Sequence, residues 1–119
     1  MENVAYLEFE DFNSDGSLKS YVGRGKPVVL MAQGNFCGYC QKAKPAYKDF
    51  ANNSNVVVAS LEIDGTASEK QASKFLKKWD STYRGVPWYG GFNSNGKFAG
   101  VHKGGRDTGA VMGFSKTLK

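Results

Sequence analysis

Six consecutive apolar residues, Pro27-Val28-Val29-Leu30-Met31-Ala32, run almost directly into Cys37-Gly38-Tyr39-Cys40, and a helical pattern begins at once. A continuous apolar run of this length, bounded by turn residues, reads as a central strand buried on both faces. After the second cysteine, Ala43, Tyr47, Phe50 and Ala51 mark one helical face, with Pro45 inside it as a kink. Cys37 therefore stands where a helix starts. Unpaired N–H groups and the helix dipole favour negative charge there, and the thiolate is the nucleophilic form of cysteine. Cys40 lies one turn further in, close enough to attack a mixed disulfide formed at Cys37. Such a pair can cycle between dithiol and disulfide.

The remaining chain reads as one unit of alternating strands and helices, without repeats, low-complexity stretches or linkers. Ala5 to Phe9 alternates as a first strand, and Asn13-Ser14-Asp15-Gly16 is a turn. Leu18, Tyr21 and Val22 fall at helical spacing. Val56 to Ile63 is β-branched and apolar, a second buried strand. Thr66-Ala67-Ser68-Glu69 has the form of a capping box. Ala72, Phe75, Leu76 and Trp79 then stand on one face of a single amphipathic helix. Val86-Pro87-Trp88-Tyr89 opens a further strand, Asn93 to Gly96 turns it, and Lys97 to His102 pairs back. Asp107 caps a last helix carrying Val111, Phe114 and Leu118. Gly109 and Gly113 weaken that helix by about 1 kcal/mol each relative to alanine. The order is βαβαβαββα. It predicts an α/β fold with a mixed central sheet, parallel in its first half and antiparallel in its closing hairpin, flanked by helices on both faces.

A chain of 119 residues predicts a single domain spanning residues 1–119, large enough to bury one core without disulfide staples. The net charge of +5 is unevenly placed. The first 18 residues hold Glu2, Glu8, Glu10, Asp11 and Asp15 and no base. A secretory signal needs a basic start and then an apolar stretch. This start has neither, so the chain as given is expected to be intracellular and cytoplasmic. No stretch approaches 18 apolar residues, and no membrane association is expected. The basic remainder has no Lys/Arg run and no RNA-binding aromatic motif, so nucleic acid is not an expected partner.

Other uses of the two cysteines remain open at this point. Zinc needs four ligands, and the chain offers two cysteines and the distant His102. A structural disulfide closing two intervening residues would constrain little of the unfolded chain. Two unconnected buried thiols are the third alternative. No metal, nucleotide or flavin site is visible, and no cofactor is expected.

Several segments together carry a resemblance. They are Phe36-Cys37-Gly38-Tyr39-Cys40, Pro45, Leu61-Glu62-Ile63-Asp64, Gly85-Val86-Pro87 and Asn95-Gly96-Lys97. In order and spacing, over nearly the whole chain, they resemble the thioredoxin superfamily, in particular its thioredoxin and protein disulfide isomerase domains. The resemblance implies a thioredoxin fold and thiol–disulfide exchange with protein dithiols or disulfides, Cys37 attacking and Cys40 resolving. It implies a cis Val86–Pro87 bond against the cysteines, and substrate contacts from Phe36, Gly38, Tyr39, Val86, Pro87 and Trp88. Strand alternation would send one of Trp88 and Tyr89 outward and the other into the core. Gly104-Gly105-Arg106-Asp107 resembles the stretch in which an isomerase arginine swings toward the cysteines and favours the thiolate, a role implied for Arg106. A solvated Arg106 paired with Asp107 is the alternative.

The chain departs from the family at identifiable positions. Met31 stands where relatives carry a buried carboxylate beneath the cysteines, and Ser60 where a lysine is frequent. Phe36 replaces a tryptophan. Tyr39 replaces the histidine of disulfide isomerases, and brings no positive charge. A Gly-Tyr pair between the cysteines also resembles bacterial periplasmic isomerases, and tyrosine in that slot resembles glutaredoxins. The expected protein is a monomeric thiol–disulfide oxidoreductase drawing electrons from a separate partner. A redox-inactive binding module and a glutathione-linked reductase are the alternatives.

Overall fold

A computed structural model describes residues 1–119. Five strands form one sheet: β1 (Ala5–Tyr6), β2 (Val28–Gln33), β3 (Val57–Glu62), β4 (Trp88–Phe92) and β5 (Phe98–His102). Their spatial order is β1-β3-β2-β4-β5. β1, β3 and β2 run parallel, whereas β4 is antiparallel to β2 and β5 to β4. The helices are α1 (Ser20–Gly23), α2 (Gly38–Asn53), α3 (Ala67–Ala72), α4 (Phe75–Trp79) and α5 (Thr108–Ser115). The architecture is the expected mixed α/β sandwich.

All of β2 is buried, because it lies mid-sheet with helices on both faces. Val28, Leu30 and Ala32 point into one core with Leu18, Ala72, Leu76, Trp88 and Phe92. Val29 and Met31 point into the other with Ala43, Tyr47, Phe50, Tyr89 and Val111. The strand period of two thus sorts one apolar run into two cores. α2 and α5 cover the second. Thr108 ties them together, its hydroxyl donating to the Ala46 carbonyl at 3.2 Å.

Three elements differ from the sequence expectation. The first strand ends at Tyr6 and gives way to a 3-10 turn over Phe9–Asp11. The Phe9 N–H there turns away from the sheet to the Ser68 hydroxyl. The expected third helix is two helices, α3 and α4. Ser73 breaks it, its hydroxyl returning to the Glu69 carbonyl at 2.9 Å, and the next amides bond three residues back instead of four. The Thr66–Glu69 capping box before it is present in both directions.

The third difference concerns Trp88. It was expected among the substrate contacts, but it is only 6% exposed. β4 is interior, between β2 and β5, so alternation sends Trp88 and Tyr89 into opposite cores and neither to solvent. The Trp88 indole donates to Asp80 Oδ2 at 3.1 Å, and its ring packs in a cluster with those of Trp79 and Phe98. The adjoining Gly90 and Gly91 are explained by the same crowding. A Cβ on Gly90 would run into the Trp88 ring, and one on Gly91 would meet Leu118 at 2.6 Å.

Candidate active site

β2 delivers the chain to a short loop, Gly34 to Phe36, and the loop to α2. Asn35 pins the loop: its N–H donates to Asp64 Oδ2 at 2.8 Å and its side-chain amide to Glu62 Oε2 at 3.2 Å. Cys37 then serves as the N-cap of α2, its sulfur accepting the Cys40 N–H at 3.1 Å. A sulfur held against an otherwise unpaired helix N–H is where a thiolate gains most from the backbone. On its other side Cys37 Sγ lies 3.5 Å from the Val86 carbonyl oxygen. The Val86–Pro87 bond is cis. Residues far apart in the chain therefore meet at one sulfur.

The two thiols are unequal. Both are free, Cys37 8% exposed and Cys40 fully buried. Burial pushes the Cys40 thiol up to about 11, reinforced by its hydrogen bond with Cys37 and opposed by the Gly34 backbone and the Arg106 guanidinium. Around them Phe36 and Tyr39 are 72% and 68% exposed, an apolar rim at the mouth of the site. Space above Gly38 is open. Arg106 and Lys42 each lie over the Tyr39 ring, 5.9 and 5.8 Å from its centroid. A cleft of about 230 Å³ opens beside Pro87, lined among others by Arg84, Tyr89, His102, Lys103 and Arg106.

Of the residues expected from sequence, Cys37, Cys40, Phe36, Gly38, Tyr39, Val86, Pro87 and Arg106 are gathered at this end of the sheet. Trp88 is turned into the core below it. Met31 is fully buried. In the sheet it stands between Ser60 of β3 and Tyr89 of β4.

The sequence pattern of the thioredoxin-like domain family matches residues 14–110. The chain belongs to the thioredoxin-like family. It is 34% identical to the thioredoxin-like protein 453L of Invertebrate iridescent virus 6, over 72% of each chain. Spinach chloroplast thioredoxin F, short form, superposes with a TM-score of 0.70 at 21% identity, covering 96% of this chain and 91% of that one. The first thioredoxin domain of mouse protein disulfide-isomerase A4 gives a TM-score of 0.70 at 20% identity, over 98% and 76%. At such identities the two structures establish the fold alone. Thioredoxin-fold proteins are typically oxidoreductases.

In this thioredoxin-like chain three contributors escaped the sequence reading. Asn35 is one. Its signal was the pair of carboxylates, Glu62 and Asp64, closing the neighbouring strand. Gln33 is the second: the buried strand continues one position past the apolar run, and this buried amide donates to Ser60 Oγ at 2.8 Å. The third is the Tyr89 hydroxyl, buried without a hydrogen-bond partner. An unpaired buried polar group costs about 1–3 kcal/mol.

The position of Arg106 carries a prediction. Arg106→Ala should move the Cys40 thiol further up, because its guanidinium works against burial. The effect is modest, roughly 2- to 5-fold on the rate of a step that needs the Cys40 thiolate, as for exposed charge pairs generally. Thiolate absorbance followed against pH checks it. Superimposable wild-type and variant curves would make Arg106 an ordinary surface residue.

Proposed function

We propose that this protein is a thiol–disulfide oxidoreductase exchanging disulfides with protein substrates, working as a monomer with a separate redox partner. The observation that carries the reading is the Cys37 sulfur at the head of α2, facing both the Cys40 N–H and the Val86 carbonyl. The Cys37 thiolate attacks one sulfur of a substrate disulfide, and the bond electrons leave on the other sulfur, which takes a proton. Cys40 then attacks Cys37 Sγ, expelling the second substrate sulfur as a thiol. Cys37 and Cys40 end as a disulfide, oxidised by two electrons, and the substrate ends as a dithiol. A partner dithiol resets the pair. Run backward, the same steps oxidise a substrate.

Phe36 and Tyr39 give substrate an apolar landing surface, and the Val86 backbone offers hydrogen bonds to an extended peptide. Two environments pull on the redox poise. No carboxylate lies beneath the cysteines to oppose a thiolate, and Arg106 stands near to favour one. No histidine stands at Tyr39 to add a second cation. Related domains span about −270 to −120 mV, and this chain is placed between those ends, isomerase-like or thioredoxin-like in direction.

Insulin reduction driven by dithiothreitol tests the reading, together with the equilibrium potential against glutathione. Catalysed precipitation of the insulin B chain is the expected result. A rate no faster than dithiothreitol alone would mean that the fold is used here for binding without turnover.

A further inference from the structure

The charged side chains around Cys37 are sorted by sign. On the Asn35 side stand the carboxylates of Glu62 and Asp64, both holding Asn35. On the Pro87 side stand cations. Arg84, Lys103 and Arg106 line the cleft of about 230 Å³ beside Pro87. Arg106 and Lys42 both lie over the ring of Tyr39, which stands between the two cysteines.

One carboxylate, Asp80, lines the same cleft, and it is already engaged. It is buried. Its Oδ1 accepts the Thr82 N–H and hydroxyl at 2.9 and 2.6 Å, and its Oδ2 the Trp88 indole N–H at 3.1 Å. Lys103, 3.9 Å away, forms with it the one ion pair of the molecule. Asp107, next in sequence to Arg106, caps α5 through the Ala110 N–H at 2.7 Å and does not pair with the arginine. Arg84 and Arg106 are both exposed and have no carboxylate partner. The cleft therefore keeps two uncommitted guanidinium groups, the group best suited to grip a carboxylate through two parallel hydrogen bonds.

The position of the cleft says what would enter it. Cys37 Sγ lies 3.5 Å from the Val86 carbonyl oxygen, and the next residue, Pro87, forms part of the cleft wall. A peptide that delivers a sulfur to Cys37 along the Val86 backbone carries its neighbouring residues over the cleft mouth. The volume falls below the roughly 300–1,000 Å³ of pockets that enclose a small molecule. It suits individual side chains.

We propose that the cleft beside Pro87 docks acidic side chains next to the cysteine of a protein substrate, so that disulfides set in acidic segments are favoured. The inference rests on the exchange reaction proposed above and names a substrate class for it. Glu62 and Asp64 act in the opposite sense on the other flank, so the acidic residues belong on one side of the substrate cysteine. Complementary charge of this kind acts mainly on the encounter rate, by about 10- to 1,000-fold at low salt.

The test uses peptides with a single cysteine joined to 2-thiopyridine as a disulfide. They carry two glutamates or two lysines, either just before or just after that cysteine. Release of thiopyridone by the reduced protein gives each rate, divided by the rate of dithiothreitol with the same peptide. In one of the two placements the glutamate peptide should react about tenfold faster than the lysine peptide at low salt. Raising the salt from about 0.01 M to about 1 M should erase that preference, because the screening length falls from about 30 Å to about 3 Å. Arg84→Glu should reduce the preference by about threefold or more. Lys116→Glu makes the same change of net charge beside Pro27, at the far end of the sheet, and should leave the preference as it is. No preference in either placement, a preference for lysine, or equal losses in the two variants would overturn the docking surface. Glutathione disulfide reacting as fast as the favoured peptide would make the occupant a small carboxylate ligand and overturn it as well. Wild-type protein that reacts with none of the peptides would instead overturn the exchange reading, and the docking surface with it.

Discussion

Cys37→Ser should abolish disulfide exchange and leave the fold intact. Serine is among the best N-cap residues, and its oxygen can take the Cys40 N–H that the Cys37 sulfur accepts at 3.1 Å. The helix start should therefore hold to within about 1 kcal/mol. The chemistry has no such substitute. A serine hydroxyl does not exchange with disulfides, and the remaining thiol is fully buried and raised to about 11. Turnover of insulin should fall to the background of dithiothreitol alone, with an unchanged far-ultraviolet spectrum and thermal midpoint. Substantial residual turnover would make Cys40 the attacking sulfur and reverse the assignment.

Met31→Asp should produce the largest loss of stability, and one that depends on pH. Met31 is wholly buried between Ser60 and Tyr89 in the core under α2. Removing its side chain and burying a carboxyl there should cost about 3 kcal/mol or more. Burial raises the pKa of such a carboxyl in the folded state above its unfolded value of about 3.9. The variant therefore suffers least below about pH 4, where the group is protonated in both states. As pH rises toward the folded pKa, the unfolded chain ionises first, and stability falls by about 1.4 kcal/mol per pH unit. Urea unfolding at pH 4 and pH 8 measures the difference. Equal deficits at both would show that the new carboxyl has reached solvent or a cation. At the position where the resemblance puts a carboxylate beneath the cysteines, the new group should also speed the step in which Cys40 resolves the mixed disulfide. Breakdown of the trapped intermediate no faster than in wild type would mean that proton removal does not limit that step.

The site was legible where chemistry and local pattern coincide. A buried strand, two cysteines and a helix in immediate succession leave few arrangements, and Cys37 caps α2 as that order requires. The Thr66 and Asp107 caps were equally local and are present. What the sequence hid depends on partners brought in from elsewhere. Ser73 interrupts a well-formed amphipathic pattern through one hydroxyl bond, which hydrophobic spacing does not register. Trp88 looks like a rim residue beside Pro87, but both faces of β4 are covered, by Trp79 of α4 on the Trp88 side and by Tyr47 of α2 on the Tyr89 side. Tyr89, expected with Trp88 as a pair of which one would face outward, is buried as well, and the register of β4 on β2 sets it beside Met31.

The protein's two tryptophans, Trp79 and Trp88, sit in one aromatic stack, their ring centroids 5.9 Å apart and their planes nearly parallel. That stack fills the face of the sheet opposite Tyr47 and Met31. Intrinsic emission therefore samples one half of the molecule. A melting curve followed by tryptophan fluorescence records the loosening of α4 against β4 and β5, while the half beneath α2 contributes only tyrosine signal. Backbone circular dichroism weighs both halves, since α2 is the longest helix. Coincidence of the two curves would establish that the faces melt as one cooperative unit. Separation would give each side of the sheet its own stability.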